Sequence, residues 1–137
     1  MNYARIVLGG LVAGVVLNIG EFLLNDVILG AQMKAEFERL RLADPGGSFI
    51  AVAVIMTFAL GILLVMLYAM IRPRFGPGPK TAICAALIVW FVGCIYVGII
   101  YTLLLAFPMN FFLIGAVWCL IEYSVATIAG AWVYKEA

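Results

Sequence analysis

Four long apolar runs dominate the chain, at residues 4–29, 49–71, 81–107 and 109–134, with short polar breaks between them. A helix needs about 20 mostly apolar residues to cross the hydrocarbon core of a bilayer, and each run supplies them. The pattern predicts an all-α membrane protein, four transmembrane helices in an up-down bundle forming one domain over residues 1–137. The first run is too long for a signal-peptide core. No small-x-small cleavage site follows it before Glu21 and Asp26, so it reads as a retained helix.

The first break is the only extended polar stretch. Met33, Phe37 and Leu40 recur at i, i+4 and i+7, one apolar stripe on a helix. Lys34 and Glu38 form an i,i+4 pair beside it. The stretch predicts a short amphipathic surface helix at about 31–43, lying on the outer surface or folded over the bundle mouth. A solvated connector is the other reading. Such a helix is too short to persist alone and needs the membrane or the bundle. The last break is nearly absent, with Phe107, Pro108 and Met109 turning the third helix directly into the fourth.

The middle break, "RPRFGPGPK" at 72–80, is stiff and basic. Pro73, Pro77 and Pro79 are expected to stop the second helix and start the third, and Gly76 and Gly78 to allow the reversal. Arg72, Arg74 and Lys80 mark a cytoplasmic loop, because short loops rich in Lys and Arg stay inside. Arg5 and Lys135 then fall inside as well, and Lys34, Arg39 and Arg41 outside. Tyr3, Tyr68, Trp132 and Tyr134 would be inner-interface anchors. The expectation is a cytoplasmic (inner) membrane protein with both termini cytoplasmic. The three loop cations are also candidates for contact with anionic lipid headgroups or a partner protein.

Composition narrows the chemistry. Hydrophobic residues make up 67% of the chain and charged residues 11%, with a mean hydropathy of +1.22. A soluble domain is about one quarter charged. The formal net charge is +1, and no basic helix points to nucleic acid. Histidine is absent, which removes the commonest acid–base catalyst and metal ligand. Cys84, Cys94 and Cys119 form no CxxC pair, so their spacing signals neither a metal site nor a haem, and they read as small buried hydrophobes. No cofactor is asked for.

One polar stripe stands out. Gly10, Gly14, Asn18, Glu21 and Asn25 fall within about 40° of one line on the first helix. The glycines let another backbone approach closely. The amides and carboxyl are candidate binding residues, since an ionisable residue in a membrane helix faces the bundle interior. The fourth helix carries Gly115, Cys119, Glu122 and Ala126 in a similar stripe, and Gly14 to Glu21 repeats the spacing of Gly115 to Glu122. The first helix is expected to pack against the fourth, with Asn18, Glu21 and Glu122 facing a shared interior. No Lys, Arg or His lies in the membrane core beside either acid. The stripe reads as interhelical packing, as a proton-linked site for a cation or small lipophile, or as a contact with another subunit.

The runs "LYAMIRPRFGPGPKTA" and "GLVAGVVLNIGEFLLN" resemble those of an uncharacterised group of small bacterial four-helix membrane proteins. That resemblance covers nearly the whole chain and implies a bacterial origin and a four-helix membrane fold, with no catalytic residue carried over. Chain length, four helices and a carboxylate in the first helix are also similar to the small multidrug resistance family. This second resemblance implies a proton and cation site at Glu21 and a path lined by Trp90 and Tyr96. The long first loop, the second acid at Glu122 and the one-sided basic loop depart from that family.

Three functions follow. The first is a non-catalytic membrane protein acting as a homo-oligomer or as an accessory subunit beside other membrane subunits and lipids. The second is a proton-coupled transporter of a small cation or lipophile. An enzyme acting on lipid or quinone would have Glu21 and Glu122 for acid–base work but no metal site or activated nucleophile.

Overall fold

The computed structural model describes residues 1–134, and among them every regular element is a helix. Lys135, counted above with the cytoplasmic charges, lies outside the described residues. Four helices are long and apolar enough to cross a membrane: α1 (Tyr3–Ile28), α3 (Gly47–Phe75), α4 (Pro79–Leu104) and α5 (Met109–Val133). A short α2 (Gly30–Arg39) follows α1. Asn2 caps α1, its Oδ1 accepting the Arg5 backbone N–H at 3.1 Å. Two segments wind more widely, as π-helix, at Leu23–Ile28 in α1 and Phe91–Tyr96 in α4.

Three helix ends differ from the sequence expectation, one being α2, which stops at Arg39 rather than about 43. α3 runs through Pro73 to Phe75. A proline removes one N–H and crowds the preceding turn, but Pro73 lies in the last turn, where little helix remains to break. The stop is Gly76, whose φ of +82° suits glycine and few other residues. Side chains then fasten the reversal. Thr81 Oγ1 donates to the Gly76 carbonyl at 2.7 Å, and the Gly78 N–H donates to Tyr68 Oη at 3.2 Å. α4 ends at Leu104, so 105–108 form a real turn rather than a direct junction. Its end is a Schellman motif, with Ala106 at φ +51° and the Phe107 N–H donating to the Thr102 carbonyl at 3.0 Å.

α2 ends in the same way, with Arg41 at φ +55° and the Leu42 N–H on the Phe37 carbonyl at 2.9 Å. Met33, Phe37 and Leu40 are half-buried, while most of the helix is exposed. The expected Lys34–Glu38 pair does not form. Arg39 Nε instead donates to Glu36 Oε2 at 2.7 Å, and its Nη2 donates to the Leu105 and Ala106 carbonyls at 3.1 and 3.2 Å. That guanidinium ties α2 to the turn between α4 and α5.

α1 is packed against both α3 and α5. The approach is so close that side chains are excluded. A Cβ at Gly61 would lie 2.5 Å from both the Gly10 carbonyl oxygen and the Gly14 nitrogen, and one at Gly9 would lie 2.5 Å from the Gly130 oxygen. Leu17, Leu64, Val65 and Thr127 fill the centre, fully buried. α4 adds Ala82, Ala85 and Ala86, again small residues that let helices meet. Gly115, expected as a packing glycine, meets nothing, since a Cβ there would find no heavy atom within 4 Å. The close approach on α5 is at Gly130.

Gly61→Val sets a branched side chain against backbone, which cannot yield. It is expected to cost at least the ~1–3 kcal/mol of ordinary overpacking. Gly115→Ala should stay within about 0.5 kcal/mol of wild type. Reversible unfolding in mixed micelles measures both, and equal effects would refute the packing described.

Candidate functional site

The packing of α1 on α5 brings two acids together. Gly20 faces Glu122 so closely that a Cβ on Gly20 would lie 2.6 Å from the Glu122 carboxyl carbon. Without a side chain at 20, the Glu122 carboxyl fits between the helices. One turn earlier on α5, Cys119 points to the same spot. A carboxylate oxygen from Glu21, one from Glu122 and the Cys119 sulfur all lie within 4.8 Å of one another.

Glu122 is the core of this cluster. It is 6% exposed, and neither carboxylate oxygen has a hydrogen-bond partner. Such a group leaves the full cost of its desolvation unmet. Among the described residues no Lys, Arg or His forms an ion pair with either acid. Trp118 Nε1 is likewise buried without a partner. Glu21 is half-buried and held from one side. Asn25 Nδ2 donates to Glu21 Oε2 at 2.8 Å and to the Glu21 backbone carbonyl at 2.9 Å. Cys94 on α4 and Tyr123 on α5 adjoin Cys119. Trp90 Nε1 donates to the Ala116 carbonyl at 2.8 Å, which fastens α4 to α5 about one turn from Cys119.

Both wide turns border this cluster. Leu23–Ile28 contains Asn25, and Phe91–Tyr96 contains Cys94. Single π turns inside α-helices occur frequently at functional sites.

The residues singled out by sequence separate into two groups. Glu21, Asn25 and Glu122 come together. Asn18 does not hydrogen-bond to either acid, because its Nδ2 donates to the Gly14 carbonyl of its own helix at 2.8 Å. Gly10 and Gly14 lie against Ile62 and Phe58 of α3. Trp90 turns inward, but Tyr96 is 60% exposed and lines no interior path. Cys119, read as a small hydrophobe, joins the acids. Its place three residues before Glu122 on the polar stripe was the available signal.

At the other end of the bundle, the basic turn borders a cleft of about 460 Å³ lined by Tyr68, Arg72, Ala82, Ile128 and Trp132 among others. The Arg72 guanidinium lies 5.8 Å from the centroid of the Tyr134 ring, a cation–π distance. Arg74 and Lys80 are exposed.

Comparison with protein families, with curated proteins and with solved structures gives no match to this chain. The functional reading therefore rests on the cluster itself.

Glu122→Met replaces an unsatisfied buried carboxyl with an apolar side chain of similar length. It is expected to stabilise the fold by about 1–3 kcal/mol, measured by unfolding in micelles. A loss of similar size would show instead that the carboxyl holds the helices together.

Proposed function

We propose that this chain is a small, non-catalytic, multi-pass membrane protein that binds a cation inside its helix bundle, with Glu122 as the anchor and Glu21 as its partner. The observation that carries this reading is the Glu122 carboxyl, 6% exposed and with both oxygens unpartnered beside a second acid. A packing role would use those oxygens in hydrogen bonds across helices, and none is present among the described residues. Ionisable residues within spanning helices mark ion and proton pathways by default. A carboxyl gives up its proton to take a cation, so the two compete for the site. Coupled to movement across the bilayer, that competition is the basis of a proton-linked transporter.

The surroundings support a bilayer setting. Val15, Ile55, Leu103 and Val117 are among many large apolar side chains left exposed. In this reading the four spans form an up-down bundle in a bacterial cytoplasmic membrane. The basic turn with Arg72, Arg74 and Lys80 faces the cytoplasm together with both termini, and anionic lipids gather there. α2 lies at the outer end, its Met33, Phe37 and Leu40 stripe against the bundle.

A second reading has its own observation. Of its most apolar window, α4 buries 11% within the chain, against 39% for α1. A second copy, or another membrane subunit, would cover α4 and make the chain an accessory component. Native mass spectrometry from nanodiscs separates the two readings, since a monomer that binds cations supports the first alone.

The cation reading is tested by calorimetry of the full chain in nanodiscs, using Zn²⁺ and tetraphenylphosphonium as probes. At least one should bind wild type, release protons in a buffer-dependent way, and bind Glu122→Gln at least tenfold more weakly. Absence of binding by both probes would overturn it. For orientation, a fluorescent-protein fusion at the C-terminus should fluoresce and an alkaline phosphatase fusion there should be inactive, the reverse result placing that end outside.

A further inference from the structure

We propose that the cluster of Glu21, Cys119 and Glu122 is a binding site for a thiophilic divalent metal ion of the Zn²⁺ class. This deepens the cation reading above and rests on it. The first argument is size. Three donor atoms, one from each residue, lie within 4.8 Å of one another. Zinc bonds of about 2.0–2.3 Å set tetrahedral ligands about 3.3–3.8 Å apart, so the donors need draw together by no more than about 1.5 Å to share an ion. Donors this close together can share a single ion.

The second argument is donor chemistry. Hard cations such as Ca²⁺ take six to eight oxygen ligands, and Mg²⁺ takes octahedral oxygen with several waters. Here two carboxylates meet a sulfur. Thiolate ligands favour Zn²⁺ and its heavier congeners over Mg²⁺ and Ca²⁺. Zinc accepts three protein ligands with water in the fourth position as well as four protein ligands, so a three-donor set is enough to hold it.

The third argument is the state of Glu122. An acidic cluster alone is common, but this one contains a carboxyl that is 6% exposed with both oxygens unsatisfied, directed at the other two donors. A bound ion gives those oxygens the partner they lack and brings positive charge where no cationic side chain among the described residues forms an ion pair. An outer shell is also in place. Asn25 Nδ2 donates to Glu21 Oε2 at 2.8 Å, orienting that carboxylate as hydrogen-bond partners do for metal ligands. On binding, the Cys119 thiol and any protonated carboxyl release their protons to solvent, and no redox change takes place.

The test uses Cd²⁺ alone as the probe, with the full chain in nanodiscs. A Cys84→Ser/Cys94→Ser background leaves Cys119 as the sole thiol. Cd²⁺ should produce a sulfur-to-metal charge-transfer band in the ultraviolet. Zn²⁺ should displace it, and a large excess of Mg²⁺ or Ca²⁺ should not. Cys119→Ser in that background should abolish the band. Glu122→Gln and Glu21→Gln should each weaken Cd²⁺ at least tenfold, and Asn25→Ala about ten- to a hundredfold. Circular dichroism verifies that each variant keeps its helices, and Glu122→Asp, which retains the carboxylate, should bind more tightly than Glu122→Gln. No band in the folded Cys119-only protein, or a band indifferent to Glu122→Gln, overturns the metal assignment. Tetraphenylphosphonium binding without a Cd²⁺ band overturns it while leaving the broader cation site standing. Silence of every probe overturns both.

Discussion

Everything in this bundle depends on how closely α1 approaches its neighbours. Gly10 and Gly14 meet Gly61 backbone to backbone on one side, and Gly9 meets Gly130 on the other. In lipid there is no hydrophobic gain from burying one apolar side chain against another, so association comes from close van der Waals contact and from hydrogen bonds. Glycine gives the most contact for the least side-chain cost. The same closeness sets Gly20 against the Glu122 carboxyl. One geometric fact, a helix stripped of side chains along two edges, thus produces both the fold and the confined acid.

At the cluster, packing and the proposed cation site oppose each other. A buried, unpartnered carboxyl works against folding, and the nearby amides that could have relieved it are engaged elsewhere. The Asn25 amide is occupied by Glu21, and the Asn18 amide by Gly14. The Trp118 N–H is buried without a partner of its own. Residues that work against stability, in a core otherwise filled mainly by small, aliphatic and Tyr side chains, are where proteins commonly keep functional chemistry.

Much of the fold was legible because membrane helices announce themselves by length and hydropathy. All four helices long enough to span were found, but the stripe on α1 was only partly read: its glycines pack on α3, and only Glu21 near its far end reaches the acid of α5. Helix ends were less legible. Pro73 looked like a stop, but the chain stops where glycine permits a positive φ, three residues later. The end of α4 was hidden because Ala106 adopts the left-handed conformation usually left to glycine. Gly61 and Gly130 escaped notice since each is one glycine in an apolar run, and only a partner helix reveals which glycines matter. The neighbours of Cys119 were hidden for a related reason. Its spacing from other cysteines was uninformative, and its partners are carboxylates, one on another helix and one three residues further along its own.

The Arg39 contact has a mechanical meaning. Its guanidinium binds the main-chain carbonyls of Leu105 and Ala106, not their side chains. Such a latch is indifferent to sequence drift in the strand it grips, as long as the turn keeps its shape. It also links α2, which follows α1, to the turn between α4 and α5, so the helices that carry Glu21 and Glu122 are tied there as well as at the Gly9–Gly130 contact near the other end. A motion that widened the gap between those acids would therefore have to loosen a side-chain clasp at one end of α1 or a glycine contact at the other.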